Sequence, residues 1–131
     1  MAVTLLVTGG TRSGKSNFAE ERARDFGQQL GKRLIYIATA EAFDEEMAAR
    51  IARHQRRRGP EWHTVHAPLD LVQAVTQTDG KGPCVIDCLT LWLNNLMLAG
   101  QDTEVAADAL VASLASRTNP VILVTNEVGS G

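Results

Sequence analysis

The sequence predicts an α/β fold, with helices on both faces of a mainly parallel sheet, on the strength of three observations. Four short apolar runs rich in Val, Ile or Leu show little polar alternation, which is typical of strands buried on both faces. Segments with helical spacing separate these runs, and strands that alternate with helices form parallel sheets with right-handed connections. The chain has 131 residues, 44% of them hydrophobic, which suits one domain with a buried core.

The elements follow from apolar runs, helical spacing and turn signals, taken in chain order. A strand at residues 3–8 runs into a glycine loop, and a helix at 16–30 then ends before Gly31. A strand at 34–39 precedes a helix at 45–58, which opens with acidic residues and closes with arginines, as the helix dipole favours. After the turn at 58–60, a short strand at 63–65 and a helix at 69–76 are expected.

The second half of the chain repeats the alternation. A turn at residues 79–83 leads to a strand at 85–88, then to helices at 89–98 and 103–116 on either side of a turn at 99–100. Asn119-Pro120 precedes a last strand at 121–125. Because no turn is long enough to link two domains, residues 1–131 are expected to form one domain.

Composition and charge exclude several classes of protein. The formal net charge is -2, which argues against a general nucleic-acid binder with a basic face. The apolar N-terminus has no positive flank and no cleavage site, and it is too short to cross a bilayer, so no membrane insertion is expected. Cys84 and Cys88 have no second pair, which favours reduced core thiols in a cytoplasmic protein over a zinc site or a disulfide.

The stretch GGTRSGKS fits the phosphate-binding pattern G-x-x-x-x-G-K-[ST] and lies between a predicted strand and a predicted helix. In such a loop, backbone N–H groups and the helix N-terminus form an anion site, and the glycines let the backbone approach phosphate. Lys15 is expected to reach the β- and γ-phosphates and the Ser16 hydroxyl to hold Mg²⁺. The alternative is a glycine-rich turn that matches by chance. The predicted contacts are Gly9, Gly10, Thr11, Arg12, Ser13, Gly14, Lys15 and Ser16.

Polar side chains also follow two other predicted strands. Asp87 stands at the carboxyl end of its strand, where P-loop proteins place a carboxylate of the metal shell, so it is a second candidate ligand of Mg²⁺. The alternative is that Asp87 caps the helix that begins at Leu89. Asn126 and Glu127 end the last strand and reach the same edge, where contact with phosphate, metal or substrate and a capping or turn role are equally open.

A cluster of arginines surrounds His54 in the stretch RIARHQRRRGPEW, residues 50–62. Helical spacing places His54 at the end of an apolar stripe, beside a basic one. One interpretation is a surface helix whose cations complement the dipole, which needs only one or two of them. The other is a triphosphate clamp, because guanidinium groups bind phosphate bidentately and a neutral imidazole, its pKa lowered by nearby cations, can attack the α-phosphorus.

Four segments together resemble a known family in order and spacing: LVTGGTRSGKS, YIATAEAFDEEMAARIARHQRRRGPEW, CVIDCLTLWLNNL and VILVTNEVGSG. Over nearly its whole length the chain is similar to the bifunctional adenosylcobinamide kinase / adenosylcobinamide-phosphate guanylyltransferase of cobalamin biosynthesis. The resemblance implies a recombinase-like P-loop NTPase fold, a three-layer sandwich with a mainly parallel sheet. It also implies a homotrimer with active sites near subunit boundaries.

Two reactions in one domain follow from the resemblance. ATP or GTP phosphorylates the hydroxyl of the aminopropanol arm of adenosylcobinamide. GTP then guanylylates a histidine with release of pyrophosphate, and the GMP passes to adenosylcobinamide phosphate to give adenosylcobinamide-GDP. The guanylylated histidine falls on His54. Further nucleotide contacts fall on Ala38, Thr39, Ala40, Gln55, Arg56, Arg57, Arg58 and Asp87.

The sequence departs from the family's pattern at two positions and at its end. His66 stands where the family commonly has a nucleotide-contacting glutamate, so it is a candidate nucleotide contact, with a loop role as the alternative. Asp87 stands where relatives often carry glutamate, which keeps the charge and shortens the reach. Relatives continue past NEVG with further helix and strand, so this chain is expected to lack the C-terminal part of the domain.

Two other functions stay open on the sequence. One is a P-loop small-molecule kinase in which His54 and its arginines form a lid over phosphate without a covalent role. The other is a nucleotide-dependent switch module of recombinase type, without enzymatic activity.

Overall fold

A computed structural model describes residues 3–9, 14–42 and 44–126. Within these residues, the order is β1 (Thr4–Gly9), α1 (Lys15–Leu30), β2 (Leu34–Ala38), α2 (Glu45–Arg58), β3 (Trp62–His66), α3 (Leu71–Thr78), β4 (Cys84–Asp87), α4 (Leu89–Leu98), α5 (Thr103–Ser116) and β5 (Val121–Asn126). The predicted alternation of strands and helices is confirmed. The bounds of α2, α4 and α5 agree with the prediction residue for residue, and β3 is one residue longer at each end.

The strands form a parallel sheet in the order β1-β5-β4-β2-β3. In this register Ala38 of β2 lies opposite Asp87 of β4, and Gly9 of β1 lies opposite Asn126 of β5. The carboxyl ends of these four strands therefore meet at one edge of the sheet. Open α/β sheets bind their ligands at this edge.

Helices cover both faces of the sheet, which gives three layers. Alternate side chains of β2 show the division, because Ile35 and Ile37 pack in the core with α3, α4 and α5, whereas Leu34 and Tyr36 pack in the core with α1. Every residue of β2 is buried, as its unbroken apolar run predicts. For β1 the same prediction is wrong, because β1 lies at the edge of the sheet and its residues alternate between exposed and half-buried. The predicted three-layer α/β sandwich is confirmed.

Local sequence sets where the first two helices begin and end. Gly14 and Gly31 flank α1 with φ values of +75° and +63°, a left-handed conformation that glycine adopts without steric cost. Asp44 caps α2, since its carboxylate accepts a hydrogen bond of 2.7 Å from the backbone N–H of Met47.

Helix α3 begins two residues later than the spacing predicts, at Leu71. The carbonyl of Pro68 accepts a hydrogen bond from the Asn95 side chain, and the carbonyl of Leu69 accepts one from the Trp92 indole, both at 3.0 Å. These bonds to α4 hold the backbone of residues 68 and 69 outside the helix. A tertiary contact, which local spacing does not encode, thus sets the start of α3.

Strand β4 begins at Cys84, one residue before the predicted start, because the backbone N–H of Cys84 donates to the carbonyl of Pro120 at 3.0 Å. Cys84 and Cys88 are buried thiols that do not take part in a disulfide within the described residues, as expected of core thiols. Burial raises the pKa of Cys84 to about 12, so that thiol stays protonated and unreactive at neutral pH. Among the described residues, no helix has the length and apolar character needed to cross a membrane.

Candidate nucleotide-binding site

Strand β1 and helix α1 flank the predicted phosphate loop. Gly9 ends β1, and the carbonyl of Gly14 accepts the first hydrogen bond of α1 from the N–H of Phe18, at 3.1 Å. Burial raises the pKa of the Cys88 thiol, and the charge of Lys15 opposes this rise. Lys15 therefore lies close to the end of β4, as a phosphate-binding lysine at this edge should.

Several predicted residues lie outside the part of the chain that the structure describes. Of Ser16 and Asn126 the structure describes the backbone but not the side chain, and of the remaining residues in this set it describes neither. They are Gly10, Thr11, Arg12, Ser13, Ser16, Asn126 and Glu127.

Asp87 ends β4 beside the predicted loop. Its Oδ2 accepts a hydrogen bond of 2.5 Å from the hydroxyl of Tyr36 on β2. Burial, together with the charge of Asp87, raises the pKa of Tyr36, so the hydroxyl remains protonated and can donate. The N-cap position of α4 belongs to Cys88 and not to Asp87. The carboxylate thus belongs to the edge of the sheet, as a metal-shell ligand would.

Thr39 joins the ends of β2 and β4 from inside the protein. It is fully buried, and its hydroxyl donates to the carbonyl of Cys88 at 2.8 Å and accepts from the N–H of Cys88 at 2.9 Å. Its neighbours Ala38 and Ala40 line a cavity at the edge of the sheet. Of these three predicted contacts, two face the cavity and Thr39 fixes the backbone that carries them.

The last turns of α2 present their side chains in different directions. His54 and Arg57 are exposed and line the cavity, and Arg58 is buried in its wall. Gln55 and Arg56 line an outer groove beside β3. The structure therefore brings three of the five predicted α2 residues to the end of β4, and it does not bring Gln55 and Arg56 there.

Arg58 is held against β2 and β3 with only 7% of its surface exposed. Its guanidinium carbon lies 3.5 Å from the centroid of the Tyr36 ring, and its Nη2 donates to the Thr64 hydroxyl at 3.4 Å. Its buried Nε has no hydrogen-bond partner among the described residues. Arg58 thus differs from Arg57, whose guanidinium is open to solvent.

The cavity has a volume of about 240 Å³ and combines cationic, carboxylate and apolar groups. Burial, together with the charges of Arg57 and Arg58, lowers the pKa of His54, whereas the charge of Asp87 acts in the opposite direction. A lowered pKa keeps the imidazole neutral near pH 7, and the neutral form is the nucleophilic one. The polar side chains of the cavity are Glu20, Tyr36, His54, Arg57, Arg58 and Asp87.

Sequence reasoning missed Glu20 and Tyr36. Glu20 is buried on α1 beside the cavity, and burial raises its pKa against the charges of Arg58, Arg24 and Arg57. No sequence motif marks Glu20. For Tyr36 the signal was its position two residues before Ala38, which puts both side chains on one face of β2.

His66, the departure from the family's pattern, ends β3 and is exposed. With Gln55 it lines a groove of about 360 Å³ that shares Ala40 and Ile51 with the cavity. His66 and Gln55 therefore lie on the neighbouring side of α2, next to the cavity and not within it.

The donor set at the edge of the sheet fits Mg²⁺ bound together with a nucleotide. Asp87 supplies a carboxylate that Tyr36 orients, and Ser16, the other candidate ligand, directly follows Lys15 in the sequence. Mg²⁺ in such sites needs only one or two protein oxygens, because water and phosphates fill its other positions. Among the described residues, no group of three or more His, Cys, Asp or Glu side chains could hold a metal without such help.

Comparison with known proteins establishes the family. A family model described as cobinamide kinase / cobinamide phosphate guanyltransferase matches residues 5–131. The chain belongs to this family. The bifunctional adenosylcobalamin biosynthesis protein CobP of Pseudomonas aeruginosa is 43% identical over 129 residues, which cover 96% of this chain and 72% of that protein.

Another similar relative is the bifunctional adenosylcobalamin biosynthesis protein CobU of Escherichia coli. It is 36% identical over 143 residues, which cover 97% of this chain and 76% of that protein. The resemblance found in the four sequence segments is therefore confirmed.

A solved structure supports the fold. The KaiC-like protein PH0186 from Pyrococcus horikoshii superposes with a TM-score of 0.59 over 98% of this chain and 62% of that one, at 18% identity. At this identity the likeness concerns the fold alone. It agrees with the predicted recombinase-like P-loop class.

Proposed function

We propose that this chain phosphorylates adenosylcobinamide with ATP or GTP, and that it transfers GMP from GTP to adenosylcobinamide phosphate through a guanylyl group on His54. Membership of the cobinamide kinase / cobinamide phosphate guanyltransferase family supports both reactions. The observation that carries the covalent step is the position of His54, an exposed imidazole of lowered pKa in the same cavity as Arg57 and Asp87. This cavity lies at the edge where β1 leads into the phosphate loop.

In the kinase step, the hydroxyl oxygen of adenosylcobinamide attacks the γ-phosphorus of the nucleotide. A new P–O bond forms as the bond to the β-γ bridging oxygen breaks, the nucleoside diphosphate leaves, and the hydroxyl proton passes to solvent. The loop from Gly9 to Ser16 supplies backbone donors to the phosphates, and Lys15 neutralises charge on the β- and γ-oxygens.

In the guanylyl step, an imidazole nitrogen of His54 attacks the α-phosphorus of GTP. The P–N bond forms as the bond to the α-β bridging oxygen breaks, and pyrophosphate leaves. A phosphate oxygen of adenosylcobinamide phosphate then attacks the same phosphorus, the P–N bond breaks, and the imidazole is regenerated. Arg57 faces this site and stabilises charge on the phosphoryl oxygens.

Ser16 and Asp87 would hold Mg²⁺ in both steps. When bound with the nucleotide, the ion neutralises charge on the phosphate oxygens. The chain's own contribution is the orientation of the Asp87 carboxylate, which the Tyr36 hydroxyl fixes from inside the sheet.

Incubation of the chain with α-labelled GTP and Mg²⁺ tests the covalent step. We expect acid-labile, alkali-stable label on the protein, and none on His54→Ala. Label that persists on His54→Ala would remove this residue from the nucleophile role. Phosphorylation of cobinamide without any protein label would favour a simple kinase, and neither activity would favour a switch module.

Assembly and location complete the proposal. On the family resemblance, we propose a homotrimer of single P-loop domains, residues 1–131 in each, that acts in the cytoplasm on small-molecule substrates and not on nucleic acid. Light scattering coupled to size exclusion measures the mass, and a monomer that labels His54 at full rate would contradict the trimer. Ala40, Gln55 and His66 share the neighbouring groove, so we also propose that this groove accepts part of the nucleotide.

A further inference from the structure

Tyr36 contacts two sides of the candidate site, although no motif assigns it a role. Its hydroxyl donates to Asp87 Oδ2 at 2.5 Å, and its ring centroid lies 3.5 Å from the guanidinium carbon of Arg58. We infer that Tyr36 is a positioning residue, which ties the last turn of α2 to the end of β4 and so sets the place of His54 relative to the Asp87 carboxylate. The inference rests on the proposed function of His54.

The ring of Tyr36 is fixed before it meets Arg58. Tyr36 is 6% exposed, and Trp62 packs edge-on against it, with ring centroids 5.9 Å apart and planes at 85°. The Arg58 guanidinium lies over the same ring, where the negative face of an aromatic ring attracts a cation. The Thr64 hydroxyl accepts a hydrogen bond from Arg58, and the charge of Arg58 opposes the rise that burial causes in the pKa of Glu20.

The contact between Arg58 and the Tyr36 ring, called the anchor below, also fixes the position of His54. His54 and Arg58 are four apart in α2, one helical turn, so they lie on the same side of the helix. Fixing Arg58 against the ring therefore fixes the rotation and height of the turn that carries the imidazole. Tyr36 acts on His54 through Arg58 and on the site through Asp87, which makes it a positioning residue and not a catalytic one.

Two substitutions separate the two contacts. Tyr36→Phe keeps the ring and removes the donor to Asp87, whereas Tyr36→Leu removes both. Because small displacements from attack geometry can cost about 100-fold in rate, we expect a roughly 10-fold slower single-turnover labelling of His54 in Tyr36→Phe and roughly 100-fold in Tyr36→Leu. Arg50→Gln is the matched control, since Arg50 lies exposed on the same helix, outside the residues that line the cavity.

The shape of the labelling time course distinguishes positioning from a structural defect. A positioning role lowers the rate constant at saturating GTP and leaves the amplitude and the half-saturating GTP concentration within about threefold, because ground-state binding is retained. Loss of folded protein would instead lower the amplitude and leave the rate constant unchanged. A Tyr36→Phe variant that labels at the wild-type rate constant, or one that loses only amplitude, would overturn the inference.

Hydrogen exchange tests the anchor independently of activity. Backbone amides of residues 55–58 should exchange at least about 10-fold faster in Tyr36→Leu and near the wild-type rate in Arg50→Gln, because local opening governs exchange. If the wild-type chain takes no label, the proposed function of His54 fails while faster exchange still supports the anchor. Unchanged exchange in a folded Tyr36→Leu variant would overturn the anchor itself.

Discussion

Arg57 and Arg56 are neighbours of the same type, but the structure gives them different surroundings. Arg57 lines the cavity together with His54, whereas Arg56 lines the outer groove beside β3. The family resemblance places both against the nucleotide. Substitution of each by Gln, which removes the charge and keeps a polar side chain, therefore tests the geometry directly.

The expected loss in Arg57→Gln follows from the contact that the arginine can make. A hydrogen bond to a charged group contributes about 1.5 to 3 kcal/mol, or roughly 10- to 150-fold in rate at 1.36 kcal/mol per tenfold. Because Arg57 is exposed to solvent, screening favours the lower end, about 10-fold in kcat/KM. For Arg56→Gln we expect kcat/KM to fall by less than about threefold, which is the size of a screened long-range electrostatic effect.

The assay is the initial rate of His54 labelling by α-labelled GTP over a range of GTP concentrations, at one ionic strength. Arg50→Gln serves as the control for a lost surface arginine on α2, since Arg50 is exposed and pairs with Glu46, at 3.9 Å, in a helical i,i+4 contact. The reasoning is refuted if Arg56→Gln loses as much as Arg57→Gln, or if Arg57→Gln stays within twofold of the wild type.

Three other predictions concern pH and stability. Burial and the charges of Arg57 and Arg58 lower the pKa of His54, so kcat/KM for labelling should rise with pH to a plateau, with an inflection below pH 6.5. Arg57→Gln should move this inflection to higher pH, because it removes one of the charges. An inflection above pH 6.5 in the wild type would contradict the prediction. Arg117→Met removes the donor from two buried acceptors, the Thr78 hydroxyl at 3.0 Å and the Gly82 carbonyl at 3.1 Å. Urea unfolding should therefore show a free energy of unfolding lower by about 3 kcal/mol, against less than about 1 kcal/mol for Arg50→Met. Asp102→Ala removes a cap bonded to the first turn of α5 and should lower the unfolding free energy by about 1 kcal/mol. Asp70→Ala removes an N-cap without a side-chain bond and should change the unfolding free energy little; equal losses in the two variants would show that the side-chain bonds of Asp102 are not the cause.

The fold could be predicted because its signals are local. Unbroken apolar runs mark the strands, although the expected burial on both faces holds for β2 and fails for β1. Gly31, Asp44 and the turn at Asn119-Pro120 mark boundaries that the structure keeps. The start of α3 could not be predicted, because it depends on hydrogen bonds from α4 side chains. A propensity acts within a few residues, and these bonds join positions more than 20 residues apart.

The site was predictable in part, for a related reason. The loop motif and Asp87 can each be recognised from the few residues around them in the sequence, and the parallel register brings the ends of their strands to one edge of the sheet. Tyr36 carries no such motif. Strand alternation tells that its side chain shares a face with Ala38, but only the packed structure shows a phenol between a carboxylate and a guanidinium.

The arginines at the end of α2 show where sequence spacing stops being informative. Successive helical residues are rotated by about 100°, so Arg56, Arg57 and Arg58 must point in three directions, whichever way the helix is turned. Helical spacing therefore fixes the directions of the three side chains relative to one another, but it does not say which of them faces the sheet. The Tyr36 ring settles it, because Arg58 packs on the ring and Arg57 is thereby turned toward His54 and the cavity. A cluster that looks like one phosphate clamp in the sequence is therefore an anchor, a cavity cation and a groove residue, and the substitutions at these three positions should differ accordingly.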